Sequence, residues 1–196
     1  VELSREMNVS VEKLKAKINQ LHEFNPMLGH RGCRLGITYP EIYEVQTEAI
    51  MEAACELTKE GKDVHVEIMI PIVGLKTELQ SMRQLVEETS KKVMNRYNVD
   101  FKYSIGTMIE LPRACVTADQ IAEHADFFSF GTNDLTQTAL GLSRDDSGTF
   151  LNHYIDKKII KCDPFATIDF DGVGELMKIA IERGLRIKKD LKIGIC

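Results

Sequence analysis

Short apolar runs alternate with single amphipathic helical patterns along this chain, and that alternation constrains the fold more than any other feature. Residues 64–70, 103–109, 127–130 and 191–195 read as buried strands, and 32–37 is a weaker fifth candidate. Helical periodicity fills the intervals. Residues 10–24 suggest a helix with Ser10 as N-cap and Val11, Leu14, Ile18 and Leu21 on one face. Pro40 suits a first helical position, and Ile42, Val45, Ala49, Ala53 and Leu57 form a stripe ending before Gly61. Leu75, Leu79, Met82, Val86 and Val93 give the next face. A helix opened by Pro112 should run through Val116 and Ile121, and another should span about 135–142. Residues 143–170 break the rhythm and read as a long loop with one short helix. Asp171 is a candidate cap for a helix carrying Val173, Leu176, Met177 and Ala180, with Gly184 as its stop.

Strands separated by single helices imply an α/β fold with parallel pairing and right-handed crossovers. A closed (β/α)8 barrel typically takes about 250 residues, and this chain has 196. The expectation is therefore one domain over 1–196, a TIM-type barrel truncated at both ends with about five of its eight strands. A small doubly wound sheet is the alternative. The final strand meets the chain end at Cys196 with no covering helix after it, which favours the truncated barrel. An N-terminus that is neither Met nor a signal peptide fits a piece of something longer, expected to be inactive and poorly soluble by itself.

A formal net charge of −5 with no long basic run argues against a sequence-independent nucleic-acid surface. No apolar run approaches the roughly 20 residues of a membrane helix. Cys33, Cys55, Cys115, Cys162 and Cys196 are scattered and odd in number, without a Cys-x-x-Cys pair. That pattern points to reduced thiols in a cytoplasmic (or plastid) protein rather than to a zinc cluster, with at least four of the five buried.

The richest stretch runs from Phe127 to Gln137: an apolar strand, then Gly131-Thr132-Asn133-Asp134, then a helix. Sites in α/β sheets and barrels sit where strands end and helices begin. Residues 103–110 have the same layout and end in Glu110. Two strands each ending in one carboxylate suggest a divalent metal, Mg²⁺, held by Glu110 and Asp134. Each acid also has a plain role at a helix N-terminus, favoured by the dipole. The backbone N–H groups of the Gly131–Asn133 turn can hold a carboxylate or phosphate. Phe127, Phe128 and Phe130 are read as core.

The motifs Gly29-His-Arg-Gly-Cys-Arg34, Ile105-Gly-Thr-Met-Ile-Glu-Leu-Pro-Arg113, Ser129-Phe-Gly-Thr-Asn-Asp-Leu-Thr-Gln137 and Gly194-Ile-Cys196 resemble the C-terminal barrel of the phosphoenolpyruvate-utilising enzymes, over the whole chain. The resemblance implies an enzyme interconverting ATP, phosphate and pyruvate with AMP, pyrophosphate and phosphoenolpyruvate. A phosphohistidine on a swivelling domain of the same full-length chain would visit this barrel, and the protein would be a homodimer. Glu110 and Asp134 would hold Mg²⁺, and Gly131, Thr132 and Asn133 would contact substrate. Cys196 would exchange a proton with the substrate methylene carbon, and Arg31 would face the transferred phosphoryl group. On residue type alone Arg34 is as good as Arg31, and Cys196 could equally be an inert strand-end thiol. The phosphohistidine and nucleotide-binding domains, two further arginines and the Gly-Glu-His-Gly run after the cysteine are not in these 196 residues. Alternatives are the branches of the family that do not consume phosphate, a non-catalytic dimerising module, and an aldolase-type metal lyase acting on oxo acids.

Overall fold

The computed structural model of the chain describes residues 2–21 and 26–196. It divides into two compact units, Val1–His30 and Arg31–Cys196. The first unit holds α1 (Glu2–Glu6), α2 (Val11–Leu21) and a 3-10 turn at Pro26–Leu28. Ser10 caps α2 as its residue type suggests: its Oγ accepts the Lys13 N–H at 3.2 Å. Residues 22–24 of the expected helix lie outside the described residues.

The second unit opens with α3 (Cys33–Thr38) and α4 (Pro40–Lys59), then β1 (Val66–Ile70) and α5 (Lys76–Tyr97). β2 (Tyr103–Ile109), α6 (Pro112–Val116), α7 (Ala118–Ala122), β3 (Phe127–Phe130) and α8 (Thr132–Leu140) follow. α9 (Leu151–Asp156), α10 (Val173–Ile187) and β4 (Lys192–Ile195) complete the chain. The strand expected at 32–37 is a helix, so the described residues carry four strands rather than five. The Leu35 and Gly36 N–H groups both bond to the Gly32 carbonyl, at 3.1 and 3.2 Å. Local bonding of that kind leaves nothing for a sheet ladder.

The four strands form one parallel sheet in the order β1-β2-β3-β4. An order that never reverses, joined by right-handed crossovers, stacks the helices that connect the strands on the same face. Ile68, Ile70, Ile105, Ile109, Phe128 and Phe130 lie in the core with Leu79, Met82, Val86 and Ala180. On the opposite face Lys192 Nζ on β4 reaches Glu67 Oε1 on β1 at 2.7 Å, across both intervening strands. In a flat sheet those strands stand roughly 14 Å apart, so the ion pair requires a sheet that curls toward this face.

Two helix assignments differ from the periodicity. In α4 the buried residues are Thr47, Met51, Ala54 and Cys55, while Val45 is 65% and Ile50 45% exposed. Both faces of this helix carry helical spacing, and the small side chains Ala54 and Cys55 on the buried face permit a close approach. In α10 Gly184 is not the stop. A Cβ there would come within 2.8 Å of Leu191 Cδ2 and Phe128 Cε2, so glycine lets the helix lie against the sheet. The start of α10 is held by Asp169 rather than Asp171: its Oδ1 accepts the Asp171 N–H at 3.2 Å and its Oδ2 the Val173 N–H at 3.4 Å. Pro112 opens a helix, but it breaks at Thr117 into α6 and α7.

Gly106 in β2 is buried beneath the neighbouring strand, and a Cβ there would sit 2.4 Å from Phe127 O and 2.5 Å from Phe127 Cγ. Gly106→Ala should therefore part β2 from β3 and lower stability by about 1–3 kcal/mol, measured as a shift of the urea unfolding midpoint. An unchanged midpoint would contradict this close approach.

Candidate active site

All four strands point their C-terminal ends to one rim. Glu110 directly follows Ile109 of β2, and Gly131 directly follows Phe130 of β3; Ile109 and Phe130 are register partners. The ladder continues past the strand ends, with the Gly131 N–H donating to Ile109 O at 3.1 Å. The Cys196 N–H donates in turn to Phe130 O at 2.9 Å, which puts Cys196 on the same rim. Thr132 Oγ1 donates to the Cys196 carbonyl at 3.3 Å.

Glu110 is only 3% exposed. Its Oε1 accepts the Ile72 N–H at 2.6 Å. Its Oε2 points at Gly131, where a Cβ would stand 2.6 Å from that oxygen. Burial pushes the Glu110 carboxyl up to about 7, and the adjacent Asp134 charge adds to the rise. The Ile72 N–H and Arg31 act in the opposite direction. Asp134, in the first turn of α8, has both oxygens engaged: Arg31 donates to Oδ2 and Gln137 Nε2 to Oδ1, at 2.9 and 3.0 Å. Thr138 Oγ1 ties this turn to Asp134 O at 2.7 Å and to the Glu110 carbonyl at 3.4 Å.

Ile72 itself is in the left-handed region, with φ 59°. For a β-branched residue that conformation costs about 1–3 kcal/mol and persists only where its surroundings impose it. The side chain is 2% exposed.

The expected site residues Arg31, Glu110, Gly131, Thr132, Asp134 and Cys196 thus gather at one rim, and Asn133 stands exposed in the same turn of α8. Two contributors escaped sequence reasoning: Ile72 and Gln137. Gln137 sits three residues after Asp134 on a helix, a spacing that places the two on one face. It also accepts the Arg144 N–H at 2.8 Å, linking Asp134 to the loop beyond α8. Ile72 acts through its backbone, which residue identity does not signal. Of the five thiols, three rather than four are buried: Cys33, Cys55 and Cys115, with Cys162 and Cys196 exposed. Burial pushes Cys33 and Cys115 up to about 12, which makes both inert.

The donor set suits a hard divalent cation. Two carboxylates meet at neighbouring strand ends, Glu110 being raised in part by Asp134, and a positive charge between them would offset their repulsion. Among the described residues no group of three or more His, Cys, Asp or Glu comes together, so such an ion would take two protein ligands and complete its shell with water or substrate oxygens.

The family model described as PEP-utilising enzyme, PEP-binding domain, matches residues 3–196, and the chain belongs to that family. Its relatives include the pyruvate, phosphate dikinase of Clostridium symbiosum, 54% identical over 196 residues, and that of Rhizobium meliloti, 55% identical over 196 residues. Pyruvate, phosphate dikinase 2 of Zea mays is 51% identical over 195 residues. The match covers 100% of this chain in each case but 22% of each relative's length.

The raised Glu110 carboxyl has a signed consequence for stability. The ionised form is disfavoured in the fold, so the penalty is absent below the ordinary value near 4.5, grows through the interval, and is complete above about 7. Glu110→Gln removes it. In metal-free buffer the variant should match the parent at pH 4 and exceed it by roughly 3 kcal/mol at pH 8, measured by urea unfolding at both pH values.

Proposed function

We propose that this chain is the phosphoenolpyruvate/pyruvate-binding part of a pyruvate, phosphate dikinase, in which ATP, phosphate and pyruvate are interconverted with AMP, pyrophosphate and phosphoenolpyruvate. The single observation that carries the site is the meeting of Glu110 and Asp134 at adjoining strand ends. The high identity to dikinases across the whole chain supports the choice of reaction over the branches of the family, phosphoenolpyruvate synthase and Enzyme I of the phosphotransferase system, that do not consume phosphate. A dikinase requires phosphate, and this requirement is the assay that separates them.

The four strands are read as an arc of a (β/α)8 barrel spanning residues 1–196. Their unreversed order and the curl recorded by the Lys192–Glu67 pair support this, since a doubly wound sheet would reverse its order at a switch point. The phosphohistidine and nucleotide-binding domains would belong to other parts of the full-length chain, and the barrel would mediate a homodimer. Among the described residues no helix is long and apolar enough to cross a membrane. A cytoplasmic or plastid location is proposed, one relative being named a chloroplastic dikinase.

Glu110 and Asp134 would hold Mg²⁺, whose charge would stabilise the enolate form of pyruvate. The N–H groups of Thr132 and Asn133, at the N-terminus of α8, would orient the substrate carboxylate, while Gly131, whose own N–H is taken by Ile109 O, would line the same turn. Arg31, beside Asp134, would meet the transferred phosphoryl oxygens with a guanidinium that stays charged. Cys196 Sγ would deliver a proton to, or take it from, the substrate methylene carbon.

In the full-length enzyme, Glu110→Ala or Asp134→Ala should depress Mg²⁺-dependent pyruvate phosphorylation by more than about 100-fold. ATP-dependent phosphorylation of the histidine should stay near normal, and loss of both half-reactions would contradict the site. Cys196→Ser should suppress solvent hydrogen exchange at the pyruvate methyl group, followed by NMR in deuterated water. Exchange at the parental rate would reject the proton-transfer role.

A further inference from the structure

Arg31, Gly32 and Cys33 are consecutive in sequence and reach both carboxylates by different routes. Arg31 takes Asp134 directly, its Nη2 donating to Oδ2 at 2.9 Å. The other two act on the turn after β1. The Cys33 N–H donates to Pro71 O at 3.1 Å, and the buried Cys33 thiol donates to Ile72 O at 3.3 Å. Gly32, at φ 59°, lies flat against the same turn: a Cβ there would come within 2.7 Å of Ile72 Cγ1 and 3.0 Å of Pro71 O. Pro71 and Ile72 are thus gripped at both carbonyls by Cys33 and pressed by Gly32. In that conformation the Ile72 N–H meets Glu110 Oε1 at 2.6 Å.

We infer that Gly32 and Cys33 are positioning residues for Glu110: by holding Ile72 in its left-handed conformation they aim its N–H at Oε1 and leave Oε2 facing the metal position. The inference rests on the proposal that Glu110 and Asp134 are ligands. Cys33 touches neither substrate nor ion; its thiol orients a backbone unit that orients a ligand. Partners of this kind commonly govern metal affinity by about 10- to 100-fold. Left-handed geometry at a β-branched residue relaxes once its constraints go, so removing the Cys33 donor should turn the Ile72 N–H away from Oε1. The thiol's role is to donate one hydrogen bond, which a hydroxyl can reproduce and a methyl cannot.

The test uses the full-length enzyme with Mn²⁺ as the probe, free Mn²⁺ being counted by electron paramagnetic resonance. Cys33→Ala should weaken Mn²⁺ binding about tenfold, whereas Cys33→Ser should stay within about twofold of the parent because its hydroxyl can still donate to Ile72 O. Gly32→Ala, which drives a Cβ into Ile72, should weaken binding at least as much as Cys33→Ala. The Mg²⁺ concentration for half-maximal pyruvate phosphorylation should rise in step. Equal Mn²⁺ affinity in Cys33→Ala and the parent overturns the inference. So does equal weakening in the Ala and Ser variants, which is the signature of lost packing alone. Glu110→Gln and Asp134→Asn serve as controls. If these two weaken Mn²⁺ binding and Cys33→Ala does not, the positioning role alone fails; if these two leave Mn²⁺ binding unchanged, the metal site fails and the inference with it.

Discussion

The parallel pairing of Ile109 with Phe130 decides where two acids can meet. Each acid lies close after its strand, Glu110 at once and Asp134 within the first turn of α8. Neighbouring parallel strands end side by side, so the two carboxylates converge without any further device. Everything else at the rim is arranged around that convergence. Gly131 leaves room for the Glu110 side chain, Thr138 pins the helix start to the Glu110 backbone, and Gln137 and Arg31 fix the two oxygens of Asp134.

Burial makes this convergence costly and therefore useful. A carboxyl shielded from water beside another negative charge resists ionisation, and a cation reverses that balance. The fold holds Glu110 by a single backbone donor, which orients the group without neutralising it. Placement at neighbouring strand ends brings the two carboxylates close, while the more open residues Asn133 and Cys196 lie on the same rim.

Much of this arrangement was legible in the residues. Strands that end in Gly131-Thr-Asn-Asp134 and in Glu110 point to one rim, although each acid taken alone would also suit a helix N-terminus. The strands over 103–109 and 127–130, the long helix after Gly74 and the core role of the three phenylalanines followed from spacing and composition. Residues 32–37 misled because Leu35 and Ile37 are apolar while their bonding is local to Gly32, which period alone cannot reveal. The face of α4 misled because both of its sides carry apolar residues at helical spacing, and only packing against α5 chooses between them. The support for Glu110 was beyond reach of the sequence, since Ile72 contributes a peptide N–H that every residue type but proline displays.

That last point bears on how the site would drift over generations. The donor that aims Glu110 belongs to the backbone, so nearly any replacement at position 72 keeps the N–H, and proline alone deletes it outright. Inheritance then acts on the shape of the turn rather than on one letter of the alphabet. The tripeptide 31–33 has less freedom, because Arg31 bonds Asp134 and Cys33 bonds the Ile72 carbonyl through their side chains. A carboxylate and its supports can in this way evolve at different tempos within a single rim.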